Sequence, residues 1–404
     1  MSRQMLRLPY IFLFTIFFVG HAHAADAPPM TLTGATVYPS PTAPPIPDAV
    51  VLISGGKITT VGKRSEIPLP PDQLVIDCSG KTIVAGFWNS HVHFSGSQWT
   101  TASNAPAAML TQQLHDMLTR WGFTTVWDLG SVPEQSLALR ARIESGEVLG
   151  PKILLAPSFY PKGGHPIYIP ADVPLPQVAT SGEMTELVTT ALGMGGDGVK
   201  LFTGSFMGDK PVVNMDVSVA QAAVDVAHAQ GKPVFAHPQN RAGVDIVLAS
   251  HIDVLAHSIP SVPNYTDEEL ALAKAEGTAL IPTLSLWTTA PLLASRMVDA
   301  GVLQLKSFSE NGGTILFGTD VGFTKIVDTT LELDLMGRAL SASQVLAALT
   351  TNPAGFFHAA RKGRVEVGMD ADLVVLDGDP AADVRNLAKV VTTIRAGRVI
   401  YPKF

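Results

Sequence analysis

Residues 86–93 read Gly-Phe-Trp-Asn-Ser-His-Val-His, so two histidines directly follow an apolar run. The run over 83–87 has the length and composition of a buried strand. Side chains two positions apart in an extended segment point to the same side, so His91 and His93 are predicted to face one centre. A His-x-His pair is weak by itself, and the rest of the chain decides what it means.

Seven more short apolar runs follow this segment, with helical stretches between them. These predicted strands cover 124–127, 153–156, 199–202, 234–236, 254–256, 279–282 and 315–318. The clearest helical patterns cover 215–230, 266–276 and 292–311. Repeated strand–helix alternation implies a parallel sheet with right-handed crossovers. Eight such units predict an α/β fold, a (β/α)8 TIM barrel over 83–361, with an open doubly wound sheet as the alternative.

The two chain ends have a different pattern, in which short apolar runs alternate with Gly-rich turns. Examples are the runs at 49–53 and 371–376. Such runs predict β-strands. Neither end is long enough for a comfortable core, so 25–82 and 362–404 are predicted to pair into a small composite β-sandwich domain.

The first 24 residues have the order of a secretory signal peptide. Arg3 and Arg7 precede an apolar run over 8–19, and Ala-His-Ala follows at 22–24. A membrane anchor is the alternative, but a spanning helix needs about 20 apolar residues. We therefore expect 1–24 to be cleaved and the protein to be exported, either periplasmic or secreted.

Charge and cysteine content exclude several classes of function. The net charge of −7 becomes −9 when residues 1–24 are removed, because they hold two positive charges and no negative ones. A negative surface does not attract nucleic acid or anionic membranes. Cys78 is the only cysteine in the sequence, so an intrachain disulfide and a zinc site made of thiolates are both excluded.

Potential metal ligands recur where the predicted strands end, which is where barrel active sites lie. The candidate ligands are His91, His93, Lys200, His237, His257 and Asp320. One histidine after a strand is usually structural, and a lone lysine is usually a solvated charge. Imidazole and carboxylate ligands at the ends of several strands instead indicate a site for zinc or a similar ion.

The remaining histidines do not follow predicted strands, and the positive charge of Lys200 does not suit a metal site. His115, His228 and His358 fall in helical stretches and His251 follows a helix, so they are predicted to be surface residues. Lys200 lies inside the 199–202 run, where a protonated ammonium would repel metal cations. The residues themselves do not explain this lysine.

The ordered motifs resemble the amidohydrolase superfamily, specifically its imidazolonepropionase-like and prolidase-like branch of Xaa-Pro dipeptidases and metal-dependent carboxypeptidases. The segments that carry the resemblance are 86–93, 198–200, 235–237, 255–257, 318–320, 348–354 and 363–375. The resemblance covers essentially the whole chain after the signal segment. It departs from many relatives at 89–90, where Asn-Ser replaces an aspartate, and this affects no ligand.

The resemblance implies a role for Lys200. In such enzymes the lysine is carbamylated by carbon dioxide and bridges two divalent metal ions, for which zinc is the expected identity. His91 and His93 would bind one metal with Asp320, and His237 and His257 would bind the other. Imidazolonepropionases have a mononuclear site without the lysine bridge, so Lys200 argues against that activity.

Two metals about 3.5–4 Å apart can share a hydroxide at neutral pH, and this hydroxide would attack an amide or ester carbonyl. Asp320 would take its proton and pass it to the leaving amine. His165, in a Gly-Gly-His segment at 163–165, is the candidate donor to the oxyanion and a substrate contact. A loop histidine bonded to local backbone is the alternative. Tyr168 is a second candidate substrate contact.

These expectations define an exported hydrolase that cleaves carbon–nitrogen bonds in a small-molecule substrate, a dipeptide or an N-acyl amino acid. The alternatives are a lactonase or esterase, a deaminase or cyclic-amide hydrolase, and a non-catalytic metal-binding or adhesive protein. We expect no nucleic-acid partner and no membrane span after signal cleavage. Relatives often form homo-oligomers, although the sequence does not fix the oligomeric state.

Overall fold

The computed structural model describes residues 28–71, 73–259, 261–290 and 294–402, so the predicted signal peptide lies outside them. The strands are β1 (Met30–Val37), β2 (Ile46–Ser54), β3 (Lys57–Lys63), β4 (Leu74–Asp77), β5 (Thr82–Ala85), β6 (Phe87–Val92), β7 (Phe123–Asp128), β8 (Lys152–Leu155), β9 (Ser158–Pro161), β10 (Gln177–Val178), β11 (Val199–Phe202), β12 (Gly204–Ser205), β13 (Val213–Asn214), β14 (Val234–His237), β15 (Val254–Leu255), β16 (Ala279–Leu280), β17 (Thr314–Ile315), β18 (Leu373–Leu376), β19 (Val390–Arg395) and β20 (Arg398–Tyr401). The helices are α1 (Ala107–Met117), α2 (Pro133–Glu144), α3 (Ser181–Gly193), α4 (Val217–His228), α5 (Arg241–Ala249), α6 (Asp267–Glu276), α7 (Ala294–Glu310), α8 (Thr330–Gly337), α9 (Ala342–Leu349) and α10 (Thr351–Phe356). Within the described ranges, no helix combines the length and the apolar character needed to cross a bilayer.

Strands from both ends of the chain lie in one sheet. Its order is β20-β19-β18-β5-β1-β2-β3, and β4 pairs with β1. The N-terminal β5 and the C-terminal β18 pair antiparallel, with Val84 opposite Val374. One face of this sheet buries a separate apolar cluster that includes Leu32, Val51 and Leu373. The prediction that the two ends pair rested on the same need for a shared core.

The remaining strands are mainly parallel and follow one another along the chain. One sheet has the order β6-β7-β8, and the other has the order β10-β9-β11-β14-β15-β16-β17. Backbone hydrogen bonds continue from one sheet to the other, since the N–H of Asp197 donates to the carbonyl of Leu155 at 2.7 Å. At the far side the N–H of Ser90 in β6 donates to the carbonyl of Phe317 at 2.7 Å. The chain is thus mixed α/β, with its first and last parallel segments hydrogen-bonded to each other.

Local sequence signals fix the helices between these strands. The helix α6 begins with a capping box, in which Thr266 accepts the N–H of Glu269 and the Glu269 side chain accepts the N–H of Thr266. It ends at Gly277, whose φ of 73° suits glycine. The three helices predicted from periodicity are confirmed as α4, α6 and α7, with small differences at their ends.

The prediction of one strand over 83–87 is wrong, because the chain changes sheets at Gly86. The segment Thr82–Ala85 belongs to the terminal sheet, whereas Phe87–Val92 belongs to the parallel strands. Gly86 donates its N–H to the carbonyl of Asp372 at 2.7 Å. A Cβ at Gly86 would lie 2.4 Å from Oγ1 of Thr124, so only glycine permits this approach.

We therefore expect Gly86→Ala to lower the free energy of unfolding by about 1–3 kcal/mol, because the added methyl group overpacks a closed contact. Urea unfolding followed by circular dichroism measures the change. Gly182→Ala is the matched control, since a Cβ there meets nothing within 4 Å. Equal unfolding midpoints for Gly86→Ala and the wild type would show that the approach of the chain at this junction is not tight.

Candidate metal centre

Three of the predicted ligands lie together at the ends of the first and last parallel segments. The Nε2 atoms of His91 and His93 are 3.2 Å apart. Oδ1 of Asp320 lies 2.9 Å from Nε2 of His93 and 3.3 Å from Nε2 of His91. Ligand atoms bound to one tetrahedral zinc at about 2.0–2.1 Å are about 3.3 Å apart, so these spacings suit one ion.

The contacts of Asp320 with the two histidines are close without being hydrogen bonds, and its Oδ1 has no donor among the described residues. Asp320 and His91 are also almost completely buried. Buried polar atoms normally have hydrogen-bond partners. A buried carboxylate oxygen without a donor, close to two imidazole nitrogens that are only 3.2 Å apart, therefore fits a divalent cation that all three side chains could bind.

Lys200 lies beside this group, in the middle of the parallel strands. Its side chain is 1% exposed, and Nζ has no hydrogen-bond partner within the described ranges. Burial lowers the pKa of Lys200 to about 7, although the negative charge of Asp320 opposes this shift. A lysine with such a pKa is substantially neutral at physiological pH, and only the neutral amine can react with carbon dioxide.

The other two predicted ligands complete a continuous cluster of imidazole rings. The ring centroid of His257 lies 4.6 Å from that of His91 and 4.8 Å from that of His237. Burial lowers the pKa of His91 and of His257 well below the usual range, and it lowers the pKa of His237 to about 3. Neutral imidazole is the form that binds metals, so all three rings are in the protonation state that a metal site requires.

Each ring of the second pair contacts a neighbouring side chain through one nitrogen. Nε2 of His237 lies 3.1 Å from Oε1 of Gln239, and Nδ1 of His257 lies 2.8 Å from Oγ1 of Thr283. Phe202 stacks on His237 with centroids 4.7 Å apart. Such partners orient metal-binding histidines in many proteins. Nothing in the local sequence of Gln239 or Thr283 marks either residue as a neighbour of a metal ligand.

Asn89, which was not among the predicted site residues, connects the two segments that carry the first three predicted ligands. Its Oδ1 accepts the N–H groups of His91 and Thr319, both at 3.2 Å, and its Nδ2 donates to Oγ1 of Thr319 at 2.8 Å. Asn89 is fully buried. Its position two residues before His91 was the available signal, because a polar side chain inside a buried strand needs a polar partner.

The loop after β17 has a backbone that few side chains allow. Asp320 has a φ of 57°, which is uncommon for a residue other than glycine. Its N–H donates to the carbonyl of His91 at 2.9 Å, which fixes this conformation. Gly322 follows with a φ of 100°, and a Cβ there would lie only 1.9 Å from the carbonyl oxygen of His93. Glycine at 322 thus lets the loop approach the His91–His93 segment.

The two predicted substrate contacts lie in the loop after β9, and their surroundings differ. The ring nitrogens of His165 lie 3.3 Å from the carbonyl oxygen of Pro166 and 3.1 Å from that of Val173. This is the arrangement of the alternative in which His165 binds local backbone, so its catalytic role stays a prediction.

Tyr168 remains 39% exposed, yet burial around its hydroxyl, with additions from Tyr160 and Asp320, raises the pKa of the phenol above its usual range. Among the other histidines, His115 is buried rather than exposed, because its ring packs edge-on against Tyr401 with centroids 5.8 Å apart. The prediction of a surface position is wrong for His115.

Comparison with known proteins places this arrangement in a family. A model of the Amidohydrolase family matches residues 82–400. The chain is 29% identical over 205 residues to an uncharacterised protein of Mycobacterium tuberculosis, and the match covers 46% of this chain and 52% of that protein. The alignment thus spans about half the length of this relative. The chain is also 26% identical over 364 residues to the imidazolonepropionase of Streptomyces griseus, which covers 82% and 86% of the two proteins.

Solved structures with a similar fold include prolidases. A Bifidobacterium longum protein described as a prolidase has a TM-score of 0.79 and 26% identity, covering 94% of this chain and 97% of that chain. A Xaa-Pro dipeptidase with methionine bound in its active site has a TM-score of 0.78 and 21% identity, covering 92% and 99%. A prolidase in complex with N-methylphosphonate-L-proline has a TM-score of 0.78 and 22% identity, covering 92% and 99%.

The last two structures are similar in fold alone, whereas the family model spans most of the sequence and includes every predicted ligand. The resemblance inferred from the motifs is confirmed. The chain belongs to the amidohydrolase family.

Proposed function

We propose that the protein is an exported, binuclear metal-dependent amidohydrolase that cleaves the amide bond of a dipeptide or an N-acyl amino acid. The observation that carries the proposal is the cluster of six ligand-type side chains at one end of the parallel strands. In particular, Lys200 is buried there without a partner for its Nζ. Export is inferred from the signal-like sequence of residues 1–24.

The same proposal takes the parallel strands as a closed (β/α)8 barrel, with the terminal sheet as a separate composite domain. The hydrogen bond from Ser90 to Phe317 supports closure, because it joins the first parallel strand to the segment after the last. The carboxyl ends of all strands then meet at one face, as they do in barrel enzymes.

In the proposed site His91, His93 and Asp320 bind one metal ion, and His237 and His257 bind the other. Zinc suits this combination of imidazole and carboxylate ligands. When bound, the two ions would lower the pKa of water and polarise the scissile carbonyl. The protein supplies neutral imidazoles, a buried carboxylate and the geometry that brings them together.

Lys200 would bridge the two ions as a carbamate. The neutral amine attacks carbon dioxide, a nitrogen–carbon bond forms, and the nitrogen releases one proton to give the anionic carbamate. The pKa of about 7 leaves much of the amine neutral. A carbamate also resolves the conflict between a cationic lysine and two metal cations, since the modified side chain is an anion.

Asp320 would move the proton during hydrolysis. Its Oδ1 lies within 3.3 Å of both ligand nitrogens of the first pair and accepts no hydrogen bond from the described residues. The carboxylate would accept a proton from the attacking water and donate it to the leaving amine. The left-handed backbone of Asp320 holds the carboxylate at this position.

The substrate would have an apolar group, because exposed apolar side chains lie in the loops that follow β9, β12 and Asp320. We call Ile167, Tyr168, Phe206 and Phe323 the apolar rim, and each is at least 37% exposed. Tyr168 and Phe323 pack edge-on with centroids 5.2 Å apart, and the N–H of Ile167 donates to the carbonyl of Phe206 at 3.1 Å. Exposed apolar patches usually mark binding sites.

The nature of two similar proteins supports small peptides or their analogues as the substrate class. One is a Xaa-Pro dipeptidase with bound methionine, and the other is a prolidase with a phosphonate derivative of proline. The similarity to an imidazolonepropionase favours a cyclic amide as the second candidate. Lys200 argues against that candidate, because the resemblance implies a site without a lysine bridge in those enzymes.

The function is tested by incubating the zinc-loaded protein with dipeptides, N-acyl amino acids, cyclic amides and lactones. We expect amino-acid release from the first two classes and none after chelation.

Asp320→Asn should keep zinc and lose about 10²–10⁴-fold in kcat, because it cannot carry the proton. Asp299→Asn on the exposed side of α7 is the control. Turnover of lactones or cyclic amides alone would replace the amide assignment, and near-normal Asp320→Asn activity would remove its role.

A second prediction concerns the bridge. Lys200→Ala should bind fewer than two zinc ions per chain by elemental analysis, because one anionic bridging ligand is lost. Short-chain carboxylic acids should restore part of its activity by occupying the same space. The exposed Lys152 gives the control variant Lys152→Ala. Two bound zinc ions and a normal rate in Lys200→Ala without added acid would contradict the carbamate bridge.

A third prediction concerns specificity. Phe323→Ala and Tyr168→Ala should each lower kcat/KM about tenfold for substrates with large apolar groups. The reason is that the bound substrate would then bury less apolar area against the apolar rim. Substrates with small or polar groups should be affected much less. Leu303→Ala removes a similarly exposed apolar side chain from α7 and is the control. Equal losses for all substrates would show that the apolar rim does not select them.

A further inference from the structure

Thr283 has an unusual backbone conformation next to the second pair of histidines. Its φ is 43° and its ψ is 51°, which places a β-branched residue in the left-handed region. It is completely buried. β-Branched residues rarely adopt this conformation. Such outliers persist where the surrounding structure stabilises them, and they are frequent at functional sites.

The contacts of the Thr283 hydroxyl indicate which neighbouring group this backbone conformation positions. Oγ1 of Thr283 lies 2.9 Å from the carbonyl oxygen of Pro282 and 2.8 Å from Nδ1 of His257. A hydroxyl has a single hydrogen, and a carbonyl oxygen can only accept. With the hydrogen donated to Pro282, the oxygen of Thr283 accepts from Nδ1 of His257. The neutral ring then has its proton on Nδ1 and a free electron pair on Nε2.

The backbone of this turn is fixed by a carboxylate from a distant helix. Oε1 of Glu332 accepts the N–H of Leu284 at 2.8 Å, and Oε2 accepts the N–H of Ser285 at 2.7 Å. Glu332 lies in α8 and is 1% exposed. These two bonds satisfy the first N–H groups of the short 3-10 helix Leu284–Thr289, which begins directly after Thr283. The left-handed residue is therefore held from its C-terminal side.

We propose that Thr283 is a positioning residue of the second metal pair, which keeps the proton of His257 on Nδ1 and so presents Nε2 to the metal. Glu332 maintains the turn from which Thr283 does this. The assignment rests on the proposed function for its metal, but the state of the ring can be measured in the metal-free protein.

The first measurement is long-range ¹H–¹⁵N NMR of the metal-free protein labelled with ¹⁵N-histidine, with His257→Ala to identify the His257 signals. The wild type and Thr283→Ser should show the Nδ1–H form of His257. Thr283→Ala should shift the ring toward the Nε2–H form. Thr283→Gly should do the same, and since glycine favours a left-handed backbone, this variant keeps the test valid if the alanine variant folds poorly.

The second measurement is zinc binding by competition titration, which does not depend on turnover. Loss of a neighbour that orients a metal-binding histidine typically weakens metal binding about 10–100-fold. We expect this loss for the second zinc in Thr283→Ala and Thr283→Gly, and near-normal affinity in Thr283→Ser. Thr288→Ala is the control, because its hydroxyl donates to Ser285 in the same 3-10 helix.

An Nδ1–H ring of His257 in Thr283→Ala or Thr283→Gly would overturn the proposal, as would unchanged affinity for the second zinc. The proposed function fails separately. If the wild type binds two zinc ions but hydrolyses no amide, the substrate assignment is wrong while the NMR and zinc results still decide the role of Thr283. If the wild type binds only one zinc, the binuclear site is wrong and the ring measurement still decides whether Thr283 controls His257.

Discussion

Burial of polar atoms without hydrogen-bond partners is the constraint on which the arrangement of this protein depends. Nζ of Lys200, Nδ1 of His91 and Oδ1 of Asp320 are all buried and unpaired within the described residues. Each such atom costs about 1–3 kcal/mol of folding free energy. A large apolar core must offset this cost, and a close set of backbone contacts must prevent the side chains from turning toward water. Asn89 provides such a contact through its hydrogen bond to Thr319, and Gly322 provides another by its close approach to the carbonyl group of His93.

The sequence predicted the ligands because parallel strands bring their carboxyl ends together. His237 and His257 lie far apart in the chain, yet each follows a short apolar run, and this common position predicted that they would meet. The same logic failed at 83–87, where two consecutive strands of different sheets read as one apolar run. Only the contacts of Gly86 with Thr124 and Asp372 reveal the change of sheet, and such long-range contacts have no local sequence signal.

The residues that orient the ligands were the least predictable part of the site. Nothing in the local sequence marks Thr283, whose hydroxyl contacts His257, or Glu332, whose carboxyl accepts the N–H of Leu284 in the same turn. The ring nitrogens of His165 lie near carbonyl oxygens of its own loop, an orientation that the Gly-Gly-His sequence does not indicate. Residue type and strand position thus predict which ligand-type side chains come together, whereas their orientation depends on hydrogen bonds between segments that are distant in sequence.

The terminal sheet has a consequence for the order in which the molecule can assemble. β5 pairs with β18, so this early strand cannot complete its pairing until a partner that is synthesised after all the parallel strands is present. Contacts with such a large sequence separation slow folding, because the loop between the partners must first be ordered. Until then the edge of β5 is open and can pair with other chains. Pairing of β5 with β18 is therefore expected late in folding, and the open edge of β5 before that step is a site at which incomplete chains can associate.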